Sequence, residues 1–104
     1  IHDNQKIKQL YPEQISLYPN YPNPFNAITR IEYYLPNMGV VSLKIFNIQG
    51  QLIRTLVNQT KISGHHSATW DGNTDSGISA SSGVYLYQLQ CNKQTKNRKL
   101  LLLK

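Results

Sequence analysis

The sequence predicts an all-β domain, an immunoglobulin-like antiparallel β-sandwich of about seven strands, and three observations carry that expectation. Short stretches alternate apolar and polar residues with the period of two that buries one face of a strand. Gly, Pro, Asn and Asp punctuate these stretches at spacings that leave no room for crossover helices. Seven tyrosines, many Thr, Ser and Asn, and no Ala-, Glu- or Leu-rich window leave no segment that favours a helix.

Taken in order, residues 1–14, IHDNQKIKQLYPEQ, are polar, mixed in charge and aperiodic. With no initiator Met and no signal-peptide pattern, they are expected to be the end of a linker from a preceding domain, and residues 15–104 the domain itself. Ile15–Tyr18 reads as a short first strand. It runs into LYPNYPNPF at 17–25, where Pro19, Pro22 and Pro24 fix φ and remove backbone donors, so neither helix nor central strand can pass through. Asn20, Asn23 and Asn26 suit Asx-type turns, and Tyr18, Tyr21 and Phe25 supply apolar area to hold this extended loop against the core.

Ile28–Leu35 alternates with Ile31, Tyr33 and Leu35 inward, and Pro36, Asn37 and Gly39 end it. Val40–Asn47 places Val41, Leu43 and Ile45 inward. Asn47–Gly50 is a tight turn in which Gly50 supplies a positive φ. Gln51–Val57 is its partner strand, and the adjacent apolar pair Leu52 and Ile53 suggests a bulge. Asn58–Gly64 is expected as a loop, followed by a strand from His65 to Trp70 with His66, Ala68 and Trp70 on one face. DGNTDSGISASSG at 71–83 is the longest loop. Val84–Gln90 returns with Tyr85, Tyr87 and Leu89 on one side, and after a turn at Asn92 and Lys93 the chain closes with Thr95–Leu103. The inter-sheet Cys pair of antibody domains is absent, so Trp70 and the tyrosines are expected to fill the space between the sheets.

A chain of 104 residues suits one modest core and not a deep enclosed substrate cavity. No apolar stretch approaches the roughly 20 residues of a membrane-spanning helix, and Leu100–Leu103 is far too short. Eleven Lys and Arg against five Asp and Glu give a net charge of +6, and Lys93, Lys96, Arg98, Lys99 and Lys104 crowd into the end of the chain. Such a balance is open to an anionic partner, but lysines along a strand are also how sheets protect an edge from aggregation, the reading preferred here. Nucleic acid is not implied.

Candidate chemical sites are few. Cys91 is the only cysteine, which excludes an internal disulfide, and it is expected at a strand end. His65 and His66 are adjacent on a strand and point to opposite faces, so they cannot share a metal; His66 is expected as a half-buried spacer beside Trp70. Asp71, Asn73 and Asp75 have the spacing that opens a calcium loop, but the glycine and the bidentate Glu such a loop needs are replaced by Ser76 and Ser82, which favours a plain turn. No nucleophile elbow, zinc-hydrolase helix, phosphate loop or paired carboxylates occur. The domain is expected to be non-enzymatic, without cofactor or metal. Tyr18, Tyr21 and Tyr34 are candidates for a glycan- or protein-binding face, set against the preferred reading that they cover the open end of a small core.

Five motifs in order, YPNPFN at 21–26, VSLKIFNIQGQLIRTL at 41–56, HSATWDG at 66–72, SGVYLYQLQ at 82–90 and KLLLLK at 99–104, resemble the C-terminal type A sorting domain of the type IX secretion system. The likeness extends to the immunoglobulin-like domain of flagellar hook-capping proteins and covers roughly residues 15–104. Matched residue by residue, Pro22, Asn23, Pro24 and Phe25 correspond to the opening loop, Gly50 to the hairpin turn, and Trp70, Asp71 and Gly72 to the corner between strand and loop. Gly83, Tyr85 and Tyr87 correspond to the penultimate strand. Lys99, Leu100, Leu101, Leu102, Leu103 and Lys104 correspond to the sorting signal, presented on a strand that also carries Lys96 and Arg98. Ala27, where the family often has proline, and Cys91, where small residues are usual, depart from the pattern.

The resemblance implies a secretion signal attached to a larger cargo protein, recognised by the outer-membrane translocon and processed by a sortase. The destination would be the cell surface or the medium, after passage through the periplasm and outer membrane. The competing expectation is an accessory module that binds carbohydrate or braces a neighbouring catalytic domain.

Overall fold

Alternation decides which side of each strand is buried, and in the computed structural model, which describes residues 13–104, it builds two facing antiparallel sheets from seven strands. The strands are β1 (Ser16–Leu17), β2 (Thr29–Leu35), β3 (Gly39–Asn47), β4 (Leu52–Lys61), β5 (Gly64–Trp70), β6 (Gly83–Cys91) and β7 (Gln94–Leu102). One sheet has the order β1-β2-β5 and the other β4-β3-β6-β7. The chain changes sheet at β2 to β3, β4 to β5 and β5 to β6, as in immunoglobulin-type sandwiches, while β1–β2, β3–β4 and β6–β7 pair directly.

The core lies between the sheets. Ile31, Tyr33 and Leu35 of β2 and Trp70 of β5 face Val41, Leu43 and Ile45 of β3, Tyr85, Tyr87 and Leu89 of β6, and Leu100 and Leu102 of β7, all of them buried. Cys91 ends β6 on this inner face as a free, buried thiol, as expected of a small strand-end residue.

The β3–β4 hairpin closes through Asn47, whose backbone N–H donates to Gln51 O at 3.0 Å and whose Oδ1 accepts from the N–H groups of Gln49 and Gln51. Gly50 sits at φ 84°, where a side chain would be strained. The bulge suspected at Leu52 and Ile53 is present, and a second follows. The pairs Phe46–Leu52 and Ile45–Arg54 leave Ile53 unmatched, and Lys44–Thr55 and Leu43–Val57 leave Leu56 unmatched. Both extra residues pack against the core, so the double irregularity turns apolar side chains inward that strict alternation would have left in water.

The structure corrects three boundaries. The expected loop at Asn58–Gly64 is mostly strand, because Asn58–Lys61 continue β4 against Gly39–Ser42 and only Ile62 and Ser63 turn the chain. The first strand shrinks from Ile15–Tyr18 to two residues, although Ile15 itself is buried. Ile28 precedes β2 instead of opening it and is 56% exposed. The linker expected over residues 1–14 lies outside the described residues as far as residue 12.

The proline loop packs across the open end of the sandwich. Tyr21 and Arg30 exchange backbone hydrogen bonds at 2.9 and 2.8 Å, which extends the edge of β2 beyond β1. The Tyr21–Pro22 and Asn23–Pro24 peptide bonds are cis. Because prolines supply carbonyls without N–H groups, this loop has surplus acceptors, and side-chain donors must satisfy them. Thr29, fully buried, donates its hydroxyl to Pro22 O at 2.8 Å, and Asn20 Nδ2 donates to Thr29 Oγ1 at 2.9 Å and to Pro22 O at 3.2 Å.

Candidate functional site

The residues matched to the sorting signal all fall on β7 or just beyond it, and β7 is an edge strand. Its register against β6 runs without interruption from Gly83–Leu102 to Cys91–Gln94, closed by a two-residue turn in which Asn92 (φ 51°) and Lys93 (φ 67°) both adopt positive φ. Leu100 and Leu102 point inward and are buried, while Leu101 is half-buried and Leu103 is 50% exposed. The apolar run therefore divides between core and surface.

The sequence reading presents the signal on the final strand, and the structure shows half of that strand's edge covered. Phe25 N–H donates to Leu101 O at 3.0 Å, Leu103 N–H donates to Phe25 O at 2.9 Å, and Leu101 N–H donates to Asn23 Oδ1 at 3.0 Å. The proline loop thus adds a short parallel segment outside β7 and seals Leu101–Leu103. Lys104 is also tied down, its backbone N–H donating to Ser82 Oγ at 2.9 Å and its ammonium contacting Ser79 Oγ.

The other half of β7 is engaged differently. Gln94, Lys96 and Arg98 share the inward face with Leu100 and Leu102, and their side chains cross to the free edge of β1. Gln94 Oε1 accepts from Ile15 N–H at 2.8 Å while its Nε2 donates to Glu13 O at 3.2 Å. Lys96 Nζ donates to Gln14 Oε1 at 3.3 Å, and Arg98 Nε donates to Leu17 O at 2.6 Å. Side chains replace a backbone ladder along this seam, so the two sheets join on one side without sharing a strand. Tyr87 reinforces it from the core, its hydroxyl donating to Tyr18 O at 2.8 Å. Lys96 and Arg98 are exposed in area yet directed inward.

Charge is distributed unevenly. No strand of the four-stranded sheet contains an acidic residue, whereas they carry Lys44, Arg54, Lys61, Lys96, Arg98 and Lys99, flanked by Lys93 and Lys104. The acids among the described residues are Glu13, Glu32, Asp71 and Asp75. Glu32 pairs with Arg30 at 3.1 Å on the opposite sheet, and Asp75 lies 3.9 Å from Arg54 at the loop end. Lys99 has no hydrogen-bond or ion-pair partner among the described residues.

The remaining matched residues build the core end nearest the proline loop. Trp70 is fully buried between Phe25 (ring centroids 5.5 Å apart) and Tyr85 (5.3 Å, edge-on), and its indole N–H donates to Asn73 O at 2.9 Å. Asp71 caps the following turn through Asn73 N–H at 3.0 Å. At Gly72 (φ 78°) an added Cβ would come within 4 Å of the Phe25 and Leu102 side chains, and Gly83 opens β6 at φ 154°. Tyr85 Oη donates to Ser81 O at 2.5 Å.

The suspected calcium spacing is used up in the turn. Asp71 is bonded to Asn73, and Asp75 Oδ1 accepts from Thr55 N–H at 3.0 Å and faces Arg54. No cluster of three or more His, Cys, Asp or Glu occurs among the described residues. His66 stacks on Tyr33, ring centroids 5.4 Å apart, not on Trp70, because the β2–β5 register sets Tyr33 directly opposite it. Tyr18 and Tyr34 do not cover the end of the core. They lie on the outer face of the three-stranded sheet around His65, at 6.4 and 4.9 Å, while Tyr21 projects into solvent. Burial raises the pKa of Tyr33, with Cys91 nearby adding to the effect, and burial likewise raises those of Tyr87 and Cys91; for Tyr87 the Asn20 backbone and Arg98 act in the opposite direction.

Asn20 bonds the nearby backbone as its Asx-type reading expected, but sequence reasoning missed its partner Thr29 and the seam. Thr29 was signalled by the acceptor surplus of the proline run. The seam was signalled by parity, since positions 94, 96 and 98 lie in phase with the apolar 100 and 102.

The fold recurs in larger proteins. Dimeric latent PorU from Porphyromonas gingivalis matches with a TM-score of 0.71 at 17% identity, over 89% of this chain and 10% of that one. FlgD from Pseudomonas aeruginosa matches with a TM-score of 0.58 at 20% identity, over 72% of this chain and 60% of that one. PorZ, an essential surface component of the type IX secretion system of P. gingivalis, gives 0.58 and 20%, over 86% of this chain and 11% of that one. At these identities the likeness is one of fold, and this chain spans about a tenth of PorU and PorZ. No curated protein sequence matches. Residues 26–95 match the model of the FlgD Ig-like domain, and the chain belongs to that family.

Proposed function

We propose that this domain is a non-catalytic C-terminal sorting domain that directs an attached larger protein through the type IX secretion system to the cell surface or medium. The translocon and a sortase would be its partners. The observation that carries the reading is the state of β7. The strand bearing the sorting-like motif is locked into the sandwich by its leucines and the proline loop, while Lys99 and Leu103 stay on the surface of a sheet without acidic strand residues. Recurrence of the fold as about a tenth of PorZ, itself a type IX component, fits a module appended to larger chains.

The test is to fuse the 104-residue chain behind a signal peptide and a fluorescent reporter in a bacterium with a working type IX system. Reporter at the surface or in the medium, lost in a translocon mutant and reduced by Lys99→Ala with Leu103→Ser, is the expected result. A folded fusion that stays in the periplasm would overturn the proposal.

One observation favours the accessory-module reading, the Tyr18–His65–Tyr34 cluster on the outer face of the three-stranded sheet. Retention on insoluble polysaccharides that weakens with Tyr34→Ala would support it, and no retention on any glycan would count against it.

A further inference from the structure

We propose that the uncovered half of β7 is an acceptor edge for an extended acidic segment of a partner protein, which adds to the four-stranded sheet as an extra strand along Thr95–Lys99. This deepens the sorting proposal and rests on its reading of β7 as the recognised strand.

The backbone geometry sets the site. In an antiparallel ladder the N–H and C=O of one residue point to the same side, and the sides alternate along the strand. Leu101 and Leu103 turn these groups away from β6 and toward the proline loop. By the same alternation, Thr95, Asn97 and Lys99 direct three N–H and three C=O groups off the sheet edge, without partners among the described residues. Asn23 and Phe25 block the strand at Leu101, and the turn at Asn92 and Lys93 bounds it at the other end. The open length accommodates about five residues of an added strand.

Charge selects the occupant. Lys93, Lys96, Arg98 and Lys99 flank the open stretch, and among the described residues Glu13 is the one acid that borders it, lining a cleft of about 550 Å³ between residues 13–17 and Lys96. A residue on an added strand shares a face with the residue directly opposite it. Acids opposite Lys99 would therefore lie on the outer face, and side chains opposite Lys96 would enter the cleft, where a carboxylate gains the ammonium now held by Gln14. A second copy of this chain is disfavoured, since edge-to-edge pairing of two β7 strands sets these cations against one another. The far edge of the same sheet is less suited: β4 is covered at Ile53 and Thr55 by Asp75, and its free end carries only Lys61.

The experiment uses the isotope-labelled 104-residue chain and a capped peptide alternating Glu and Val, compared with its Lys–Val counterpart and a version N-methylated on alternate residues. Amide hydrogen exchange by NMR and fluorescence anisotropy are the readouts. In the free chain the amides of Thr95, Asn97 and Lys99 should exchange fast, and the Glu–Val peptide should slow these three selectively. Binding should weaken with salt and vanish for the N-methylated and Lys–Val peptides. Lys99→Glu should weaken it roughly fivefold, the size of a cross-strand charge reversal. Asn97→Pro should abolish it, since the outward N–H is not used in the ladder; Lys99→Glu serves should that variant fold poorly.

Slow exchange at the three amides in the free chain would overturn the proposal by showing that the edge is already taken, by residues 1–12 or by a second copy. Equal binding of the Lys–Val peptide would also overturn it. If the fusion reaches the surface while Lys99→Glu neither weakens peptide binding nor reduces export, the strand-addition proposal fails and the sorting proposal stands. If export fails while the peptide protects the three amides, the reverse holds.

Discussion

Trp70→Ala should remove the largest single block of packing in the domain. The indole is fully buried, wedged between Phe25 and Tyr85, and its N–H is bonded to Asn73 O. Truncating a buried aromatic to Ala costs about 3–5 kcal/mol. The upper half of that range applies here, because the edge-on Tyr85 pair and the indole hydrogen bond are lost with the area, each worth about 1 kcal/mol. The contributions overlap, so about 4–5 kcal/mol is the working figure. At roughly 4–8 °C per kcal/mol for a domain of this size, the midpoint should fall by about 15–40 °C. A total stability of about 5–15 kcal/mol leaves the variant folded only marginally.

Trp70 is the only tryptophan, so unfolding is best followed by far-ultraviolet circular dichroism and tyrosine fluorescence. Trp70→Phe separates packing from the hydrogen bond and should cost about 1–2 kcal/mol. A midpoint for Trp70→Ala within a few degrees of the parent would refute the assignment of Trp70 as the inter-sheet anchor. Equal losses for the two variants would place the stabilisation in the Asn73 bond, not in packing.

The two buried tyrosines should respond in opposite ways. The Tyr33 hydroxyl has no partner among the described residues, so Tyr33→Phe should raise stability by about 1 kcal/mol, whereas Tyr87→Phe strands Tyr18 O and should lower it by a similar amount, both read from urea midpoints. Alkaline pH should destabilise the fold. The pKa values of Tyr33, Tyr87 and Cys91 are raised by burial, so the unfolded chain ionises first, and the stability these groups contribute is whole below about pH 9 and is lost as pH rises through their folded values. A melting temperature unchanged up to pH 11 would contradict this, as would an identical profile in the Tyr33→Phe, Cys91→Ala double variant. Arg98→Met keeps the aliphatic stem and deletes the donor to Leu17 O. It should cost about 1 kcal/mol and speed amide exchange around Ser16 and Leu17 more than in β6.

Local periodicity made β2, β3 and β6 legible, since in each the central inward set is apolar throughout, even though Val40, Phe46, Val84 and Leu86 face outward. It failed for the end of β4, because Asn58–Lys61 have little buried surface on either face and are held in the ladder by β3 alone. The proline run announced a loop but not its destination. Phe25 pairs with residues 76 and 78 positions away, and nothing local encodes that register. On β7 the charges misled in a specific way. Lys96 and Arg98 read as solvent-facing lysine-type edge protection, yet parity with Leu100 and Leu102 sends them inward, where Arg98 meets the bare Leu17 carbonyl of β1 and Lys96 the Gln14 side chain instead of apolar surface. A charged residue in phase with the core is therefore a cue to look for an unpaired backbone across the seam.

Truncation is the usual way to find a terminal signal, and in this domain it would mislead. Removing Lys99–Lys104 deletes two core leucines and four of the nine β6–β7 pairs, those from Gly83–Leu102 to Leu86–Lys99. It also strips the proline loop of its partner strand. Each lost leucine alone is worth about 2–5 kcal/mol, so the two together reach the range of the whole domain's stability. The truncated chain should be unfolded by circular dichroism, and its failure to be exported would report folding, not recognition. A truncated chain that kept a cooperative transition would show that the leucines are not structural. Recognition and folding separate only at Thr95, Asn97, Lys99 and Leu103, whose side chains or backbone groups face outward. If the domain is read by a translocon, it is read there, as one edge of a folded sheet.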